Sequence, residues 1–285
     1  MSIFAEGRSA VVTGAAGGIG LAMARACLGR GMRVTLADVD GERLGSAARE
    51  LAAEAPGRVA ERVCDVRDPA AVEALREAAV AAHGPVHLLL LNAGLGRPTK
   101  PWAERAAWEE TLGVNLWGVV NGLMAFVPGL MEAGEGGAVV VTGSKQGITN
   151  PPGNAAYNAS KDAVRAVTEQ LAWEFRQAGA PGGEERRGEG RLGAHLLVPG
   201  WTHTGLTAVR GAERPPGAWE PWQVAERMVQ GVEAGDFYII CQDNETDWAT
   251  DAKRIAWGAG DLTENRPALS RWHPDWAEAF AAART

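Results

Sequence analysis

The sequence predicts a doubly wound α/β fold, a parallel sheet with helices on both faces. Three observations carry this. Short apolar runs alternate with longer amphipathic stretches over the first 200 residues. The apolar runs are nearly continuous, as in "VHLLLLNAG" at 86–94, which marks strands buried on both faces. A glycine-rich turn, "TGAAGGIG" at 13–20, joins the first run to the first amphipathic stretch. Alternating strands and helices with crossovers of one hand build a single parallel sheet.

Taken in order, "SAVVTG" (9–14) reads as a strand, then "GIGLAMARACLGRG" as a helix ending at Gly31. "RVTLAD" (33–38) is the second strand, and "GERLGSAARELAAEA" a helix stopped by Pro56 and Gly57. "RVAERVCDV" (58–66) is the third strand. A helix follows, with Asp68 as its cap and Pro69 at its first position. After the fourth strand at 86–94, strands are expected at 137–144, 194–200 and 236–241, with helices around 104–133 and 155–178. The stretch 178–193, rich in Gly, Glu and Arg without apolar period, reads as an exposed, mobile loop. No composition break marks a linker, so residues 1–245 are expected to form one domain, with 246–285 a tail on it or on a partner subunit.

Composition narrows the function. A net charge of −7 over 285 residues argues against a nucleic-acid partner. No apolar run approaches the ~20 residues of a membrane span, and the start "MSIFAEGRSAVV" lacks the features of a signal peptide. Three widely spaced cysteines, Cys27, Cys64 and Cys241, fit buried thiols in a reducing cytoplasm, and no metal site is expected. His83 and His87 read as loop and strand-edge residues, because Gly84 and Pro85 break any helix between them.

The turn at 13–20 offers Gly14, Gly17, Gly18, Ile19 and Gly20 where a strand meets a helix. Such a turn lets a pyrophosphate approach backbone N–H groups at a positive helix end. Asp38 ends the second strand, eighteen residues past Gly20. A carboxylate there accepts hydrogen bonds from both adenosine ribose hydroxyls and repels a 2′-phosphate. No lysine or arginine stands at 15–18 or at 39, so the cofactor expected is NAD rather than NADP.

The chain has two tyrosines and four lysines, and a lysine four residues after a tyrosine arises by chance at about 3%. Tyr157 and Lys161 in "YNASK" have that spacing, which places them on one helix face. An ammonium beside the phenol is expected to lower its pKa from ~10 toward that of a general base. Ser144, at the end of a strand, can hydrogen-bond a substrate oxygen.

These motifs, in order and spacing, resemble the classical short-chain dehydrogenases/reductases. The resemblance rests on "TGAAGGIG", "NAG" (92–94), Asn115 in "GVNLWGVV", Ser144, "YNASK" and "PGWTHT" (199–204), and runs from about residue 5 to 242. It implies a single-domain Rossmann fold with a seven-stranded sheet, in a homodimer or homotetramer. It implies a catalytic set of Asn115, Ser144, Tyr157 and Lys161, in which Asn115 kinks its helix and holds a water, and Lys161 grips the nicotinamide ribose. For the cofactor it implies Asp65 at the adenine amine with Val66 beside it, and Asn92, Ala93 and Gly94 along the adenosine ribose. It also implies Pro199, Gly200, Thr202 and Thr204 around the carboxamide. Strand-cap and turn roles compete with each assignment. The sequence departs from the pattern at "LNAG", at "TGS", at Thr202 and in the long 178–193 loop.

The substrate is expected at the carboxyl ends of the strands. Its walls would come from Ser144, Gln146, Ile148, Asn150, Tyr157, Trp201 and Leu206, under a lid at about 201–222. Seven of eleven tryptophans lie after residue 200, which fits an apolar, ring-bearing secondary alcohol or ketone or, equally, core and subunit packing. The reading is an NAD-dependent oxidoreductase. Its alternatives are a catalytically idle NAD-binding sensor or scaffold, and an epimerase or dehydratase on the same frame.

Overall fold

The computed structural model describes residues 2–102, 104–178, 192–205 and 214–283. Seven strands form one parallel sheet in the order β3-β2-β1-β4-β5-β6-β7. They are β1 (Ser9–Thr13), β2 (Arg33–Asp38), β3 (Val59–Val63), β4 (Val86–Leu91), β5 (Gly137–Thr142), β6 (Leu192–Val198) and β7 (Tyr238–Ile240). The order turns back between β1 and β4, the switch point of a doubly wound sheet, where ligands bind beyond the strand ends.

The continuous apolar strands are explained by two cores, one on each face. Ala10 and Val12 of β1, Leu88 and Leu90 of β4, and Val140 of β5 enter the first core. They pack with Met23 and Leu28 of α1 (Gly18–Gly29), Leu44 and Leu51 of α2 (Gly41–Glu54), and Met228 of α8 (Pro221–Ala234). Val11, Leu89, Leu91 and Val141 enter the second. They meet Leu75 of α3 (Pro69–His83), Phe126 of α5 (Gly118–Ala133) and Phe175 of α7 (Ala155–Ala178). Neighbouring side chains on a strand point to opposite faces, so both parities must be apolar. Strand β3 differs: Glu61, Arg62 and Val63 are exposed. It is the sheet edge, and charges there discourage further pairing.

Helix starts follow local chemistry. Asp40 accepts from the Arg43 amide to cap α2, and Asp68 from Ala70 to cap α3, with Pro69 behind it. The expected helix over 104–133 is α4 (Arg105–Leu112), a π turn (Gly113–Trp117) and α5. Among the described residues this run, Arg105–Ala133, is the one long and apolar enough to cross a membrane by length and composition. Its Val119, Phe126 and Leu130 are core residues against the sheet.

The histidine reading is corrected. His83 is the last residue of α3 and buried, and His87 lies inside β4, also buried. The β1–β4 register shifts there: Ser9 pairs with Val86 but Ala10 with Leu88. His87 is the extra residue, and its Nδ1 accepts the Ser9 amide at 3.1 Å while Nε2 meets Glu135 Oε2 at 2.9 Å. An imidazole thus takes the place of a ladder carbonyl, which only a residue inside the strand could do.

Residues 179–191 of the 178–193 loop lie outside the described residues; Leu192 and Gly193 belong to β6. Also outside are Leu206, Arg210 and the 206–213 part of the lid. After β7 come α9 (Trp248–Thr263) and α10 (Ala277–Ala282). Arg266 lies over the Trp257 ring at 4.4 Å, and Trp257 Nε1 donates to Ser270 Oγ at 2.7 Å. Trp257 therefore serves the folding of the tail.

Candidate active site

The carboxyl ends of β1, β4 and β5 are joined by side chains. Thr13 Oγ1 accepts the amides of Asn92 and Ala93 at 3.0 and 3.1 Å. Asn92 Nδ2 donates to the Thr13 carbonyl at 3.2 Å, and Thr142 Oγ1 donates to Asn92 Oδ1 at 3.2 Å. Asn92 is thus a strand staple, and the site needs Thr13 and Thr142, which sequence reasoning missed. Hydroxyl residues at strand ends give no pattern that marks them.

The glycine-rich turn follows β1. Gly14 has φ +68°, and a Cβ on it would meet Ala93 Cα at 2.9 Å. A Cβ on Gly18 would lie 3.3 Å from Thr204, so the turn faces the loop after β6. No side chain caps α1, in contrast to α2, α3 and α9. Its first N–H groups, around Ile19 and Gly20, are therefore offered to an anion. Asp38 Oδ2 accepts the Ala16 amide at 3.0 Å and Oδ1 the Asp40 amide at 3.1 Å, which fixes the carboxylate beside the turn. These features fit a dinucleotide: an uncapped helix end, a glycine-rich cradle and a fixed acid.

Asp65 and Val66, the residues expected at the adenine, also have partners within the chain. Both carboxylate oxygens of Asp65 are taken by Arg67, at 2.6 to 3.0 Å, and this pair holds its pKa below the usual range. Val66 is buried, with its side chain against Gly118 of α5 and its carbonyl accepting Asn121 Nδ2. The loop after β6 holds Pro199, Gly200 and Thr202. Thr202 is buried and bridges Trp219, and the His203 amide donates to the Trp219 carbonyl at 2.8 Å.

Tyr157 and Lys161 face inward from the first two turns of α7. Lys161 is buried, donates to the Thr142 carbonyl at 2.8 Å, and lies 5.7 Å from the centre of the Tyr157 ring. Burial pulls its pKa down to about 8. Burial also pushes the Tyr157 hydroxyl up, opposed by a hydrogen bond with Ser144. Without cofactor the phenol is thus held above its ordinary value by burial, and the ammonium expected to lower it is engaged by the Thr142 carbonyl. Ser144 Oγ accepts the Gln146 amide at 3.2 Å, setting the short helix α6 (Gln146–Thr149).

Asn115 sits in the π turn, fully buried. Its Oδ1 accepts the Leu95 amide at 2.8 Å, and its Nδ2 donates to the Leu95 carbonyl and to Ser160 Oγ, both at 2.9 Å. One amide hydrogen thus holds the loop after β4 and the other reaches α7. A Cβ on Gly94 would lie 3.4 Å from Asn115 Oδ1 and 3.6 Å from Lys161 Nζ, which places the two side chains on one spot of backbone.

Of the expected substrate residues, Gln146, Ile148 and Asn150 line a cavity of about 1700 Å3 shared with Trp219, Trp248 and Trp272. Ser144, Tyr157 and Trp201 do not line it. The tail therefore walls a space beside α6 rather than the catalytic cleft itself. Among the described residues no three His, Cys, Asp or Glu side chains cluster as metal ligands.

The fold and this set of residues define a dinucleotide-binding oxidoreductase. Residues 8–181 match the family described as short chain dehydrogenase, and the chain belongs to it. It is 40% identical over 184 residues to the Mycobacterium tuberculosis protein named SadH, spanning 64% of this chain and 65% of that one. It is 38% identical over 216 residues to 1-deoxy-11-beta-hydroxypentalenate dehydrogenase of Streptomyces arenae, covering 72% of each chain. The structure of a short-chain dehydrogenase/reductase from Burkholderia phymatum in complex with NAD superposes with a TM-score of 0.80 at 30% identity, over 93% of this chain and 97% of that one. The match to SadH thus leaves about a third of that relative's length uncovered.

Proposed function

We propose that the chain transfers hydride between NAD(H) and a secondary alcohol or ketone, with Tyr157 as general acid and base. The observation that supports it most directly is the meeting of the Tyr157 hydroxyl with Ser144, above a buried Lys161, at the strand ends beside an uncapped α1. The cofactor is NAD: Asp38 stands where it suits free ribose hydroxyls, and the B. phymatum relative is in complex with NAD. Bound NAD would accept the hydride in oxidation, and bound NADH would donate it in reduction.

The chain's own residues handle the proton. Ser144 orients the substrate oxygen and stabilises charge growing on it. Tyr157 Oη takes the hydroxyl proton of an alcohol, or returns one to a carbonyl oxygen. Lys161, with a pKa near 8, lies closer to working pH than an ordinary lysine and suits proton exchange with the phenol. Asn115 keeps the loop carrying Gly94 against Lys161.

An apolar, ring-bearing substrate is part of the proposal, supported by half-exposed Trp201 at the mouth of the β6 loop. So is a homodimer or homotetramer, supported by exposed Trp117 and Met124 around α5 and Trp173 on α7. A cytoplasmic location suits three buried, free cysteines. The test is to mix the protein with NAD and a panel of cyclic and acyclic secondary alcohols and follow NADH absorbance. Turnover that Tyr157→Phe abolishes supports the reading. NAD binding without turnover of any member would leave an idle NAD binder, and substrate conversion without net NADH an epimerase or dehydratase.

A further inference from the structure

Lys145, the residue after Ser144, is tied into a buried charge cluster. Its Nζ lies 2.7 Å from Asp251 Oδ2 and 3.3 Å from Asp243 Oδ2. The three side chains are only 15%, 4% and 10% exposed. Asp251 lies in the first turn of α9, whose start is fixed by Asp247 accepting the Thr250 amide at 2.8 Å. A carboxylate suits that positive helix end. Asp251 Oδ2 has no hydrogen bond beyond this ion pair, and Arg254 lies 3.8 Å from its Oδ1. Buried charges held this way are costly to unpair.

Asp243 links the cluster to the loop after β6. Its Oδ2 accepts the Trp201 amide at 3.5 Å, and a Cβ on Gly200 would lie 2.8 Å from Oδ2 and 3.0 Å from Lys145 Nζ. The Lys145 amide donates to the Pro199 carbonyl at 3.3 Å. Three segments far apart in sequence therefore meet on one ammonium: the loop of Ser144, the loop of Gly200 and the tail helix.

We propose that Lys145 and Asp251 are positioning residues for the dehydrogenase reaction: through them the C-terminal helix α9 sets the Ser144 hydroxyl against Tyr157. This rests on the proposed function above for its chemistry, but not for its mechanics. Ser144 is joined to Lys145 by one peptide bond, and the Lys145 backbone is held by the Pro199 carbonyl while its ammonium is held by Asp243 and Asp251, so both ends of the residue restrain the turn that carries the hydroxyl. Misplacement of about 1 Å at such a group costs about a hundredfold in rate. A clamp serving only fold stability would loosen the tail without singling out Ser144.

The experiment uses the full chain with Asp251→Asn, a near-isosteric change, and Lys145→Met as the harsher variant. Hydrogen–deuterium exchange is followed by mass spectrometry on peptides covering 143–150. Asp251→Asn is expected to speed exchange there several-fold while β4 and β5 keep their protection. The kcat is expected to fall about ten- to a hundredfold, with the KM for NAD within about twofold. The same substitution made on Ser144→Ala is expected to change kcat by less than about twofold, because the group it positions is gone. Unchanged exchange at 143–150 overturns the tie, and so does an equal kcat loss with and without Ser144. If the wild-type chain turns over no alcohol or ketone, the proposed function fails, and the exchange result alone still decides whether α9 holds the Ser144 loop.

Discussion

Arg43 lies over the glycine-rich turn: a Cβ on Gly17 would stand 2.8 Å from its Nη2. The Arg43 amide is held by Asp40 Oδ1 at 3.0 Å, so the side chain starts from a fixed point one turn past Asp38. A scan of positions 15–18 and 39 misses this cation, because the helix returns it from five residues beyond the acid. Asp38 and Arg43 therefore flank the same turn with opposite charge. Asp38→Ala is expected to weaken NAD at least tenfold and NADP much less, since Arg43 remains to meet a 2′-phosphate. Titration of both cofactors by quenching of tryptophan fluorescence checks this. Equal losses would remove Asp38 from the ribose.

Tyr157→Phe removes the one hydroxyl proposed to move the proton. Turnover is expected to drop by about 10²–10⁴, with NAD affinity within about twofold. Steady-state assay beside the same fluorescence titration decides it, and retained turnover rules out the proton role.

Lys161 has a folded pKa of about 8 against ~10.4 unfolded. The unfolded chain binds more protons between these values, so stability contributed at this site rises as pH goes from about 8 to 10.4 and is lowest below 8. Lys161→Met is therefore expected to be neutral to stabilising at pH 7, by about 1–3 kcal/mol, and to flatten that rise while abolishing turnover. Urea melts at pH 7, 8, 9 and 10 measure both. A Met variant that is less stable at pH 7 by several kcal/mol contradicts the burial cost.

His87→Leu leaves the Ser9 amide without its acceptor inside the sheet. The expected loss is about 2 kcal/mol, read from urea melts, with NAD affinity unchanged because the residue sits at the far ends of β1 and β4. A loss below about 0.5 kcal/mol would mean the register shift finds another acceptor.

Much of the fold was legible. The strands read from their apolar runs because both parities of β1, β4 and β5 feed a core. Helix α7 and the pairing of Tyr157 with Lys161 read from spacing alone. What stayed hidden depends on contacts distant in sequence. Lys145 and Asp251 lie over a hundred residues apart and carry no periodic signal. The Asp65 carboxylate is claimed by a neighbour two residues on, which no motif records. Burial decides the Tyr157 and Lys161 pKa values, and burial follows only from the packed structure.

The π turn at Gly113–Trp117 amounts to one residue more than a regular helix would spend on the same rise. Removing a residue from it would let α4 run straight into α5, and the side chains beyond would keep their face toward the sheet. Val119 and Phe126 would stay in the core, whereas Asn115, inside the bulge, would swing off the Leu95 backbone and Ser160. The geometry of the site is thus written into the length of this segment as much as into its residues. A single-codon deletion here would leave a better helix and a packed core, and would disable the site that Asn115 holds together.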